Sequence, residues 1–221
     1  MTRDRFGAIS LTLGALGVVV VMVAHPTPAD FAAGRDLQAS IVRNLLVHGG
    51  GIASTALLTF GFWRFTLHQQ RTLAQLAFVF FAFAAIPWMF AAIMSGYAMT
   101  PLLAALRDAE EPARTSLTTM AGLTGRFNMA YSAVYAAMSS VAFVLFALAW
   151  QPTGLSGWVP RIMGLIVGAG TLALFFSGMA AQLGVHGWLG VVVAQFLFCL
   201  CCAAPLWRGT PGSSRSEPLS A

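Results

Sequence analysis

The residues of this chain with chemistry in them are four histidines, three cysteines and a run of three glycines. Imidazole nitrogen binds Zn²⁺ and Cu²⁺ and ligates haem iron. His25, His48 and His186 each fall at the end of an apolar segment, on what the topology below makes one face. They are candidate ligands for a divalent metal or a haem, while His68 falls with Arg64 and Arg71 at the opposite face. No H-x-x-x-H spacing fixes two of them on one helix turn, and histidines are also tolerated at an interface simply because water reaches the ring.

His48 opens "HGGG" (48–51), a sequence that also forms the oxyanion loop of lipases and esterases. Those enzymes need a G-x-S-x-G nucleophile elbow. Here "GLSG" (154–157) lacks the spacing, and no acid is placed to orient a histidine, which removes the esterase reading. The glycines then read as a close helix approach, or as a bend, at about 1 kcal/mol each in helix propensity relative to Ala. Cys199 and Cys202 share a helix face and Cys201 points elsewhere, far from the histidines, so all three read as small apolar residues.

Charge excludes further classes. The chain has twelve arginines and no lysine, so Schiff-base chemistry with retinal or pyridoxal phosphate is excluded. Every acid (Asp4, Asp30, Asp36, Asp108, Glu110, Glu111, Glu217) lies outside the apolar runs, leaving no carboxylate to relay protons or hold a cation at mid-membrane. A net charge of +5 would suit nucleic acid, but the arginines are scattered at segment ends and form no basic stripe.

These residues must be positioned by membrane helices. Of 221 residues, 58% are hydrophobic and 9% charged, and the mean hydropathy is +0.78. Soluble domains carry about 25% charged residues, so this chain cannot cover a surface in water. A span needs about 20 apolar residues. Six runs qualify, at 7–24, 42–63, 73–98, 129–150, 162–182 and 187–206, which predicts an all-α bundle of six transmembrane helices in one domain, 1–207. The tail 208–221 is polar and reads as disordered and cytoplasmic. The first run is longer than a signal-peptide core and is expected to be retained. Pro87 is expected to kink the third span, and "TPLLAALRDAEEPART" to form a separate amphipathic surface helix.

Arginine counts orient the bundle. Arg3, Arg5, Arg64, Arg71, Arg161, Arg208 and Arg215 fall on one side; Arg35, Arg43, Arg107, Arg114 and Arg126 fall on the other. The heavier side is read as cytoplasmic, with both termini inside a bacterial inner membrane.

Three correspondences raise a 3+3 inverted repeat against the alternative of shared composition. They are "HPT" (25–27) with "QPT" (151–153), Arg43 with Arg161, and "AQLAFVFFAFAAIPW" (74–88) with "AQFLFCLCCAAPLW" (194–207).

Helical spacing then groups the polar residues into stripes. Asn44, His48, Gly51, Thr55 and Thr59 share a face of the second span, which continues into Phe62. Asn128, Ser132, Tyr135 and Ser139 share a face of the fourth. Gly164, Gly168, Thr171, Gly178 and Gln182 share one of the fifth. Such faces are either packing seams or the lining of a cavity. In the second case His48, Asn44, Thr55, Asn128, Ser132, Tyr135 and Thr171 are candidate ligand-binding residues.

The chain resembles a group of small six-span bacterial inner-membrane proteins. The matching features are His25-Pro26-Thr27 after the first span and His48-Gly49 in the second, over about 7–207. The resemblance implies the fold and the membrane, and no activity. Three functions stay open. The protein binds or transports a small neutral or amphipathic molecule; it is a metal- or haem-binding redox protein; or it is an accessory subunit whose seams face a membrane partner or a second copy.

Overall fold

The computed structural model describes residues 4–31, 36–152, 154–178 and 184–208. The described residues form seven α-helices: α1 (Arg5–Ala24), α2 (Leu37–Gln69), α3 (Thr72–Ala92), α4 (Met99–Arg107), α5 (Ala113–Ala149), α6 (Trp158–Phe176) and α7 (Gly184–Arg208). A single π-helical segment, Ile93–Ala98, joins α3 to α4 without a break. Counted as units, six helices are long and apolar enough to cross a membrane, which makes this an all-α, multi-pass membrane protein in contact with a lipid bilayer.

The starts and stops follow from local chemistry. Asp4 caps α1 by accepting from the Gly7 N–H at 3.0 Å, and Asp36 caps α2 by accepting from the Ala39 N–H at 3.0 Å. Gln70, in the left-handed region at φ 50°, ends α2 with its N–H on the Thr66 carbonyl. Arg71 begins the next helix and donates from Nη1 to the Ala149 carbonyl at 3.1 Å. That places a cation on a terminal carbonyl at the C-terminus of α5.

The spans close a ring. α1 packs between α2 and α7, α3 between α2 and α5, and α6 between α5 and α7. Large aliphatic and aromatic side chains such as Val20, Leu46, Phe83 and Ile166 face outward, as the absence of a hydrophobic penalty in lipid allows. The half of the ring toward the C-terminal end of α2 is filled by aromatic rings. Phe62 is the hub, 4.5 Å from Phe81 and 4.9 Å from Phe146 between ring centres, and Phe143 bridges it to Phe198 at 5.5 Å. The polar stripe of α2 therefore stops at this core, as its spacing indicates.

Close backbone approach seals the neighbouring pairs. A Cβ on Gly168 of α6 would sit 2.7 Å from the Ser140 carbonyl oxygen and 2.9 Å from the Val144 nitrogen of α5. Gly14 of α1 stands in the same relation to Ser54 and Leu58 of α2. The two halves share other local features. α1 and α5 both end on an extended residue, His25 and Trp150, and a 3₁₀ turn follows each (Pro28–Phe31 and Leu155–Gly157).

Three expectations need correction. The amphipathic segment after Tyr97 is no separate surface helix: α4 continues from α3 and packs on α5 and α2, because the π segment keeps its backbone hydrogen-bonded. Pro87, where the third span is expected to kink, lies inside α3, and a π-helical segment follows at 93–98. The second and fourth spans are longer than their apolar cores. At 33 and 37 residues, α2 and α5 are about 50 Å and 55 Å long, well beyond a hydrocarbon core of about 30 Å. Polar residues at both ends of α2 and at the N-terminal end of α5 hide these extensions from a hydropathy reading. α6 is shorter than expected: Gly178, at φ 74°, lies beyond its end, and Gln182 lies outside the described residues. The tail beyond Arg208 also lies outside them.

Candidate site at the histidine end of the bundle

The site begins with two rings brought together from different helices. His25 follows the last residue of α1, and His48 stands eleven residues into α2, yet their ring centres lie 5.0 Å apart with the planes at 72°. His25 Nδ1 is 2.8 Å from the Pro26 carbonyl oxygen, and His48 Nδ1 is 2.8 Å from the Asn44 carbonyl oxygen. A carbonyl can only accept, so each Nδ1 carries the proton and donates. In a neutral ring of this kind Nε2 is left with its lone pair.

A tethered turn holds His25 in place. Asp30 accepts from the Thr27 N–H at 2.7 Å and the Thr27 hydroxyl at 2.8 Å, and it pairs with Arg43 of α2 at 2.7 Å. Ser40 of α2 donates to the Asp30 carbonyl at 2.7 Å. These partners, the Thr27 N–H first, hold the Asp30 carboxyl down at about 2. Burial pushes the His25 imidazole below its usual pKa against the opposing effect of the Pro26 carbonyl, and the Arg43 charge lowers it further. His25 is therefore neutral at pH 7.

The π segment holds His48. Within Ile93–Ala98 the backbone leaves the regular α-helical ladder, and Asn44 Nδ2 donates to the Ser95 carbonyl at 3.1 Å. The same amide donates to Thr100 Oγ1 at 2.7 Å, and the Thr100 hydroxyl in turn donates to the Gly96 carbonyl. Gly96 lies against the imidazole: a Cβ there would come 2.5 Å from His48 Cβ and 2.7 Å from Cγ. Glycine at 96 is what lets the third span approach the ring. Gly49 faces the Tyr97 hydroxyl, while Gly50 and Gly51 face Val21 of α1. The three glycines of "HGGG" thus admit neighbours on both sides, and α2 runs through them without a break.

The other candidate residues are not all here. Asn44 and His48 meet at this site. Thr55 is buried about two turns beyond His48 along α2, its hydroxyl on the Gly51 carbonyl at 2.9 Å. Tyr135 of α5 lies against Trp88 of α3 at 4.9 Å between ring centres. Asn128 and Ser132 are half-buried on α5, and Thr171 is buried on α6 with its hydroxyl on the Val167 carbonyl at 2.7 Å. The main neighbours of α2 are α1 and α3, whereas α5 and α6 pack on each other, so these residues fall into separate groups. The side chain of His186 lies outside the described residues. Among the described residues, no three of His, Cys, Asp and Glu gather as a metal site.

Beside the histidine pair, α1 and α2 diverge into a groove of about 810 Å³. Its walls are Gly17, Val20, Val21, Val42, Val47 and Gly50, and its mouth carries Asp36, Gln38 and Arg43. Sequence patterning missed two parts of this region. Ser95, Gly96 and Thr100 follow no polar stripe because a π turn shifts the register of the helix. The Thr27–Asp30–Arg43 tether joins residues of a loop and a helix, which no single periodicity connects. Compared with protein families, with curated proteins and with solved structures, the chain matches none of them.

Proposed function

We propose that the protein binds a small amphipathic molecule with a neutral head in the groove between α1 and α2. The observation that carries this reading is the groove itself: its volume falls in the range of about 300–1,000 Å³ usual for ligand sites, and its walls are apolar while its mouth is polar. At the mouth, Arg43 is already paired with Asp30, and Asp36 is occupied in capping α2. A neutral head with hydroxyl or amide groups suits such a balanced rim better than an anion does. The filled aromatic half around Phe62 favours binding from one side of the bundle over passage through it. The arginine distribution supports an orientation with both termini cytoplasmic in an inner membrane, which puts the groove in the outer leaflet.

The test is photo-crosslinking with a diazirine-bearing monoacylglycerol in purified protein. Labelling concentrated on 17–24 and 36–54, reduced several-fold in Gly50→Leu, is the expected result; a Cβ at Gly50 meets only Val21, at an ordinary 3.5 Å, so the added side chain fills the groove. Labelling spread evenly over the lipid-facing surface, unchanged in that variant, overturns the proposal.

A further inference from the structure

We infer that His25 and His48 form a site for a single Zn²⁺ ion, independent of the groove. Three features of the pair point to a cation. First, both Nδ1 atoms donate to backbone carbonyls, at 2.8 Å each, which is how metal-ligating imidazoles are commonly oriented, with Nε2 kept as the free donor. Second, the separation fits one coordination geometry. Two imidazoles bound to a tetrahedral ion with Zn–N bonds of about 2.0 Å have ring centres about 5 Å apart, whereas a trans pair on a haem iron has them at about 6.4 Å. The observed 5.0 Å, which is also an ordinary edge-to-face packing distance, is compatible with the first and not with a haem held between these two rings. Third, both ligands are anchored from outside the pair, His25 by the Thr27–Asp30–Arg43 tether and His48 by Asn44 and the π segment.

Imidazole suits Zn²⁺, a borderline cation without redox chemistry, and a neutral two-nitrogen set leaves two tetrahedral positions for water or a substrate donor. The remaining positions of the ion are then filled by donors other than these two histidines. The buried cysteines Cys199 and Cys202 lie on α7 in the aromatic core and belong to another part of the molecule.

The experiment is isothermal titration of the full-length, metal-stripped protein in detergent with Zn²⁺ alone, together with X-ray absorption of the loaded protein. One Zn²⁺ per chain with two imidazole nitrogens in the first shell is expected, and His25→Ala and His48→Ala should each weaken binding at least tenfold. His68→Ala should leave binding unchanged. Because His25 lies outside the helix, His25→Ala reports on the site even where His48→Ala fails to fold. Absence of stoichiometric binding overturns the inference. So does binding that survives His25→Ala, or a first shell containing sulfur.

Discussion

Replacing Gly96 by alanine tests the packing of the histidine end with a single methyl group. The added Cβ would lie 2.5 Å from His48 Cβ, 2.7 Å from Cγ and 3.1 Å from Nδ1. Carbon atoms in contact sit about 3.5–4.0 Å apart, so the π segment and α2 must part by about 1 Å. Overpacking of this kind costs about 1–3 kcal/mol. Parting the helices also stretches the two bonds from Asn44, to the Ser95 carbonyl at 3.1 Å and to Thr100 at 2.7 Å. Interhelical bonds in membranes are worth about 0.6 kcal/mol on average, with a maximum near 1.7. The gain in helix propensity from Gly to Ala offsets about 1 kcal/mol at most. The net expectation is a loss of about 1–4 kcal/mol, read by reversible unfolding in mixed micelles as SDS is titrated. Gly122→Ala on α5, where nothing lies within 4 Å of the added Cβ, serves as the control and should be neutral or stabilising. If Gly96→Ala unfolds at the wild-type SDS fraction, or if the control loses as much, the packing described for His48 is incorrect.

Other consequences can be measured in the same system. Asn44→Ala should cost about 1–2 kcal/mol, and a double-mutant cycle with Thr100→Val should return a coupling of about 0.5–1.5 kcal/mol; strict additivity would show that the 2.7 Å bond does not form. Phe62→Ala removes the hub of the aromatic half and should cost about 3 kcal/mol, against less than about half of that for the lipid-facing Phe83→Ala. Asp30 should titrate at about 2 by carboxyl ¹³C NMR, and Thr27→Val should raise that value. Because the folded pKa lies below the unfolded one, the stabilisation from the tether is complete above about pH 4. It is lost as pH falls through 2, and a midpoint near 4 would show that the tether is not formed.

Much of this architecture is legible in the chain itself. Charge content and the six apolar runs lead directly to a six-span membrane bundle, because no other fold satisfies the backbone in lipid with so few polar side chains. The stripe from Asn44 to Thr59 lies where its period of three to four places it, and the Gly164-x-x-x-Gly168 pattern does mark the tight seam between α5 and α6. Element lengths were less legible, since hydropathy ends at the membrane while α2 and α5 continue as polar helix beyond it. The pairing of His25 with His48 was legible only as a shared depth. Contact depends on which helices are neighbours, and residue types do not encode the order of helices round a ring. The π segment was not legible at all, because its sequence, "IMSGYA", carries no proline and no polar period, and its partner Asn44 comes from another helix.

The most direct single measurement is the ¹⁵N NMR spectrum of histidine-labelled protein in lipid, assigned with His25→Ala and His48→Ala. Both rings should show a protonated Nδ1 and a bare Nε2 at pH 7.5, with a through-space contact between the two imidazoles. An Nε2–H tautomer on either ring, or the absence of that contact, would contradict the geometry of the site.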